Sequence, residues 1–229
     1  MYNEEKLPID FHQDPRFFLW KDFLKLGESV PDVMADRHMQ RQVPGQCCSL
    51  IYTSGTTGVP KGCMLSHDNL VWLGVEMMEL LTEEKPELIG PQNRIVSYLP
   101  LSHIAGLFSD LIMHMMQGCE LYFAKPDALQ GTLVDTLKHA RPTVFFAVPR
   151  VWEKFEEKLK EAASQAPAIA TKISTWAKGY GSAHVEALMN KTDVPFMYSL
   201  ANFLILSKIK QAIGLDQCEV FFFGAAPLK

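Results

Sequence analysis

Short, nearly unbroken apolar blocks recur along this chain, and the residues between them place apolar positions at helical spacing. Ser49–Tyr52, Arg94–Tyr98, Glu120–Phe123, Thr143–Val148 and Glu219–Phe223 each read as a strand. The last two are almost wholly apolar, which predicts burial on both faces. Leu70, Leu73, Met77 and Leu81 form one stripe of a helix, and Ser66 stands where it can cap that helix. Ala105–Gln117 and Leu129–His139 read as two further helices. Strands alternating with helices at this spacing predict an α/β fold of parallel β-α units with right-handed crossovers. Ligands in such sheets sit beyond the carboxyl ends of the strands, so the loops after Tyr52, Tyr98, Val148 and Phe223 are where chemistry is expected.

Two segments depart from this rhythm. Residues 1–45 read as a lead-in: Pro8, Asp10, Asp14 and Pro15 are irregular, Phe17–Gly27 suits a short helix, and Val43-Pro44-Gly45 breaks the pattern. Residues 46–229 carry the β-α units. Within them, about 70 residues between Val148 and Glu219 read as helical, with Val151, Phe155 and Leu159 on one stripe. They predict a helical insertion on the sheet. The apolar stretch Phe196–Leu206 is too short for a bilayer span, which needs roughly 20 residues. It suits a buried helix first, and otherwise a partner surface or a helix lying on a membrane, with Lys208 and Lys210 just after it.

Composition narrows the class only a little. Of 229 residues, 48% are hydrophobic and 21% charged, as in a folded globular protein, and the net charge of −4 without a dense basic block gives no sign of nucleic acid as a partner. The five cysteines, Cys47, Cys48, Cys63, Cys119 and Cys218, form no regular framework, and no secretory signal follows Met1. Free thiols in a reducing compartment are expected. Cys63 and His67 have a spacing that could hold a metal, but no second pair stands nearby, and no metal site is predicted.

The most informative stretch is Tyr52-Thr53-Ser54-Gly55-Thr56-Thr57-Gly58-Val59-Pro60-Lys61-Gly62. Its glycines permit close backbone approach to a ligand, its hydroxyls and N–H groups suit an anion, and Lys61 adds a positive charge for a polyphosphate. Pro60 stiffens the approach to Lys61 and biases Val59 toward an extended conformation. It is not a Walker A loop, because Pro60 precedes the lysine and Gly62 follows it. The alternative is a polar surface turn between a strand and a helix.

This stretch resembles, without a mismatch, the phosphate-binding signature of the adenylate-forming superfamily. Met64-Leu65-Ser66-His67-Asp68-Asn69, the segment from Ser97 to Ala105, and Val148-Pro149-Arg150-Val151-Trp152-Glu153-Lys154 resemble the long-chain fatty acyl-CoA synthetases, nearest the bubblegum group. The resemblance runs from Trp20 to Leu228 and implies that residues 46–229 are part of an AMP-binding domain, truncated at both ends and without its small C-terminal domain.

The activity it implies is ATP-dependent ligation of a long-chain fatty acid to coenzyme A through an acyl-adenylate, with Mg2+ accompanying ATP. Thr53, Ser54, Gly55, Thr56, Thr57, Gly58, Val59, Pro60 and Lys61 would bind the phosphates. His103 would stand beside the reacting carboxylate as a donor; without the resemblance it reads as a packing histidine at a helix start. Gly224, Ala225, Ala226 and Pro227 would lie along the adenine and acyl pocket, or otherwise form a plain turn. Arg150 and Trp152 read as a helix start with an apolar anchor. His12, His38, His114, His139 and His184 fall in no motif. The expected location is cytoplasmic, peripheral to the endoplasmic reticulum or another internal membrane. Two rivals stand beside this reading: an adenylate-former acting on an aryl or amino acid, and an inactive binding or interaction module.

Overall fold

Among the described residues the first helix is Trp20–Gly27 (α1), which follows extended Leu19, and a second, Asp32–Gln40 (α2), follows Pro31. In α2 Asp32 opens the helix and Arg37 and His38 close it, charges that suit the two ends of the helix dipole. The sequence predicts α1 but not α2, whose residues carry no continuous apolar stripe and bury none of themselves. These coordinates are a computed structural model that describes residues 17–53, 59–165 and 167–224. The chain falls into two compact units, 1–46 and 47–229, and both helices belong to the first.

The second unit opens with an antiparallel hairpin, Cys47–Thr53 (β1) and Lys61–Ser66 (β2), paired from Thr53 opposite Lys61 to Cys47 opposite Ser66. This corrects the expected run of strand, loop and helix, because a second strand lies between the glycine-rich loop and the helix. Gly62 hides that strand from a propensity reading. It is tolerated because the Tyr52 ring lies over it: a Cβ at Gly62 would stand 3.3 Å from the ring. His67–Glu84 (α3) then starts with a reciprocal cap. The Asn69 N–H donates to the Ser66 hydroxyl at 3.1 Å, and the Asn69 side chain accepts from the Ser66 N–H at 3.1 Å.

Four parallel strands follow in two pairs, Arg94–Ser97 (β3) with Glu120–Phe123 (β4), and Val144–Ala147 (β5) with Val220–Phe223 (β6). β5 lies beside β3 and runs the same way. The Thr143 N–H donates to the Arg94 carbonyl at 3.0 Å at one end, and the Tyr98 hydroxyl donates to the Phe146 carbonyl at 3.1 Å at the other. Buried Asn93 stitches the starting ends together, donating to Gln117 and Gly90 at 3.3 Å while accepting from the Thr143 hydroxyl at 2.8 Å. The α/β class and the parallel pairing agree with the sequence.

Alternate strand residues face opposite ways. Val96, Phe145 and Ala147 pack with Leu137 of Leu133–Ala140 and with Val151 and Phe155 of Pro149–Ser164. Trp152 anchors that second helix, its ring 5.5 Å from Phe145 and 5.8 Å from Phe221, while Arg150 stays exposed beside Glu153. Trp152 is thus the apolar anchor expected of it. Ile95, Val144 and Phe222 face the other way, toward an apolar cavity of about 230 Å³ lined also by Phe108, Met113 and Phe146.

Between β5 and β6 the chain is helical: Pro149–Ser164, Ala168–Met189, then 198–213 with a π-turn at Asn202–Leu206. Two burial expectations fail here. β6 is only half covered, with Phe223 60% exposed, because among the described residues it pairs with β5 alone. The Phe196–Leu206 stretch is not a buried helix: Phe196 is 92% and Phe203 74% exposed, because no described element covers that side. No helix among the described residues is long and apolar enough to cross a membrane.

Candidate functional site

The hairpin pairs Thr53 with Lys61, so two of the proposed phosphate contacts face each other across the mouth of the loop. Both are exposed, as are Val59 and Pro60. Ser54, Gly55, Thr56, Thr57 and Gly58 lie outside the described residues, as do Ala225, Ala226 and Pro227. β2 passes directly into α3, and α3 crosses the helical stretch 104–117 closely at Gly74, where a Cβ would come 3.1 Å from Ile112. Thus the hairpin is joined through α3 to the stretch that His103 begins.

His103 occupies the turn after β3, at the carboxyl ends of the parallel strands. It caps the short helix Ile104–Gly106, its Nδ1 accepting from the Ala105 N–H at 3.1 Å. In the neutral ring the proton is thereby assigned to Nε2. The exposed imidazole presents that N–H as a donor. The segment before it is held tightly. The His103 N–H donates to the Pro100 carbonyl at 3.0 Å, and a Cβ at Gly106 would come 2.5 Å from the same oxygen, so only glycine fits. Gly224 directly follows β6, with the Phe146 ring 3.5 Å from where its Cβ would be. The strand ends thus carry His103 after β3, Val148-Pro149 after β5 and Gly224 after β6, on one edge.

The sequence reading misses a polar cluster beneath this edge. The helical stretch after His103 widens into a π-turn at Leu107–Ile112. It turns two consecutive polar residues inward: Ser109 is 7% and Asp110 4% exposed. The Ser109 hydroxyl donates to Asp110 Oδ1. Asp110 Oδ2 has no partner. Burial lifts its carboxyl above the usual range, the hydrogen bond from Ser109 opposing the shift. Burial and the neighbouring Asp110 also raise the Tyr98 hydroxyl, which stays a donor. The signal was the pair Ser109-Asp110 inside the otherwise apolar run 104–113.

All five cysteines are free. Burial raises the thiols of Cys119 and Cys218, the latter pushed up to about 12, so neither is an active nucleophile. Among the described residues no group of three His, Cys, Asp or Glu side chains could hold a metal.

Comparison with known proteins adds a family. The model of the AMP-binding enzyme family matches residues 5–229. The long-chain-fatty-acid–CoA ligase ACSBG2 of Gallus gallus is 47% identical over 219 residues, 93% of this chain and 28% of that protein. ACSBG2 of Homo sapiens is 42% identical over 225 residues, covering 97% and 33%, and human ACSBG1 is 41% identical over 214, covering 92% and 29%. Among solved structures, the A domain of a carboxylic acid reductase from Segniliparus rugosus, in complex with AMP and a carboxylic acid, aligns with a TM-score of 0.47 at 22% identity. That alignment covers 81% of this chain and 24% of that one. The chain spans about a third of the length of the curated relatives it matches. With a family match over nearly its whole length, and relatives above 40% identical along more than nine-tenths of it, this chain belongs to the AMP-binding enzyme family.

Proposed function

We propose that this chain is the phosphate-loop portion of an ATP-dependent long-chain fatty acid–CoA ligase, acting with the rest of such a protein. The observation that carries the reading is the 41–47% identity to proteins named as such ligases over nearly the whole chain. The chemistry has two steps. A fatty carboxylate oxygen bonds to the α-phosphorus of ATP as pyrophosphate leaves, and the thiol of coenzyme A then takes the acyl carbon as AMP leaves. The protein's work is positioning and charge stabilisation. Lys61 and the hydroxyls of Thr53, Ser54, Thr56 and Thr57 would hold the phosphates. Gly55, Gly58, Val59 and Pro60 would shape the loop around them, and the Nε2–H of His103 would donate to the carboxylate.

The apolar cavity lined by Ile95, Phe108, Phe146 and Phe222 is suited to part of an acyl chain, each CH₂ buried there contributing about 0.8 kcal/mol. Gly224, with Ala225, Ala226 and Pro227, would flank the adenylate. Mg2+ would accompany ATP and offset the charge of its phosphates. A cytoplasmic protein peripheral to the endoplasmic reticulum or another internal membrane is favoured by exposed Phe196 and Phe203, with Lys208 and Lys210 close behind.

The test is Lys61→Ala in the full-length protein. It should raise the KM for ATP in fatty acid-dependent pyrophosphate exchange and leave fatty acid binding unchanged. A lost charge-assisted contact of about 1.5–3 kcal/mol corresponds to roughly 10- to 150-fold. Unchanged ATP dependence would remove the phosphate role.

A further inference from the structure

We propose that residues 196–210 form an interfacial element that seats this chain on a bilayer carrying anionic lipid. The inference deepens the peripheral-membrane reading above by naming the surface and the lipid charge, and its geometry does not depend on the ligase chemistry.

The helical stretch 198–213 has two sides. One packs on the helix Ala168–Met189. Ala201 is fully buried, the Tyr198 ring stacks on His184 at 3.7 Å, and the Leu206 side chain lies 3.3 Å from where a Cβ on Gly181 would stand. The other side holds Leu200, Phe203 and Leu204, spaced as neighbours on a helix and all exposed. Phe196 stands just before them and is the most exposed large apolar side chain among the described residues. Single apolar residues scattered on a surface need no explanation, but four along one side of a helix and its lead-in do.

The charges around them say what covers them. From Val194 to Leu215 the sequence has no acidic residue, and its two charged residues, Lys208 and Lys210, are both exposed in the turn that follows Leu206. Asp216, the first acid beyond, is already paired with Arg141. Over residues 168–213 five lysines stand against two acids, a local charge of +3 in a chain of −4. Apolar anchors followed by lysines suit a helix lying in the headgroup layer of an anionic membrane, where lysine stems rest on the apolar layer and the ammonium groups reach the phosphates. A protein partner fits less well, because lysine is depleted at the centres of protein interfaces. The stretch then runs on into β6. Lys210 Nζ lies 5.4 Å from the Phe221 ring, and the next two residues, Phe222 and Phe223, line the apolar cavity. A bilayer held against this helix is a reservoir for the acyl chain proposed to enter that cavity.

The experiment sediments the full-length protein with vesicles of phosphatidylcholine alone, or of phosphatidylcholine mixed with phosphatidylserine. It compares the unmodified protein with Phe196→Ser/Phe203→Ser, with Lys208→Gln/Lys210→Gln, and with Trp72→Ser, which removes an exposed aromatic from α3. The unmodified protein should partition onto the phosphatidylserine vesicles and be released by added salt. Loss of both phenylalanines should lower the partition coefficient by roughly 10²-fold, about tenfold for each ring. Loss of the lysines should lower it about fivefold for each on phosphatidylserine and leave phosphatidylcholine binding unchanged. Trp72→Ser should bind like the unmodified protein. All these positions are exposed, so thermal midpoints, and exchange with fatty acid dispersed in buffer, should be unchanged.

Equal binding by all four proteins overturns the proposal and leaves the peripheral location to another surface. No binding of the unmodified protein to either vesicle overturns both. A phenylalanine variant that loses self-association while its vesicle binding is unchanged assigns the face to a second copy, and the proposal fails. If that variant does not fold, unchanged phosphatidylserine binding by Lys208→Gln/Lys210→Gln overturns the proposal equally. Vesicle binding as expected from a protein that shows no fatty acid-dependent exchange supports the surface and removes the ligase reading.

Discussion

A buried carboxyl leaves a mark on stability that can be read against pH. The folded-state pKa of Asp110 lies above the value near 3.9 of an unfolded aspartate, with burial the main cause. The folded protein therefore keeps this proton where the unfolded chain has released it. The stability it contributes is complete below about pH 3.9 and is lost as pH rises through the folded-state value. Asp110→Asn should remove that loss. Thermal midpoints of variant and parent, compared from pH 4 to 8, should diverge in the variant's favour as pH rises, and parallel curves would contradict the assignment.

The cap that His103 makes and the donor role proposed for it can be separated by substitution. His103→Asn keeps a good helix cap but removes the Nε2–H donor. Pyrophosphate exchange should fall by about 10²–10³-fold with the thermal midpoint nearly unchanged; an equal fall in both would reduce His103 to a cap. His103 was singled out through the family resemblance of the segment it closes; without it the residue reads as a histidine at a helix start, which is where the structure places it. Asp110 was not, since only the π-turn tells which way a polar residue in an apolar helix points.

Among the elements, caps and close approaches carry most of what can be tested. Ser66 begins α3 with a two-way cap, and Ser66→Ala should cost about 1 kcal/mol, measured by denaturant unfolding. Gly106→Ala should do more than lose stability. Its Cβ would meet the Pro100 carbonyl at 2.5 Å, so the backbone of the His103 segment has to move. Exchange activity should drop together with the thermal midpoint, unlike in Ser66→Ala, where activity should persist; an active, stable Gly106→Ala would refute the close fit. The Ser66 cap, the helix stripe over Leu70 and Leu81, and the buried core strand at Val144–Ala147 were all readable, because periodicity and capping chemistry are local. The strand Lys61–Ser66 was not, because its pairing depends on Tyr52 covering Gly62 across the hairpin. β6 reads like β5 in sequence, yet burial of a strand depends on neighbours that the strand's own residues do not encode.

Across the whole molecule, what is exposed sets what this chain can do when made by itself. Phe123 and Phe223, at the ends of β4 and β6, are 76% and 60% exposed, and Phe196 and Phe203 in the helical connection more so or nearly as much. β4 and β6 each pair on one side only among the described residues, leaving backbone donors and acceptors free to join another strand. Apolar surface of this kind binds partners or aggregates. The relatives are about three times as long, so in them further chain is at hand to cover such faces. The 229-residue chain, expressed alone, should therefore bind a hydrophobic dye strongly and unfold over a broad range of temperature.

It should also make no acyl-CoA. Adenylation needs carboxylate and α-phosphate held at near-attack distance in a site closed to water. The described residues supply the exposed mouth of the proposed phosphate loop, one exposed imidazole and an apolar cavity. Removing a single positioned charge stabiliser costs about 10²–10³ in rate, and an open site weakens every remaining contact. With ATP, Mg2+ and a long-chain fatty acid, exchange of labelled pyrophosphate should stay at background, and adding coenzyme A should yield no thioester. Exchange at a rate matching the full-length protein, from a chain that melts sharply and ignores the dye, would show that these 229 residues already form a closed site and that the exposed aromatic faces need no cover.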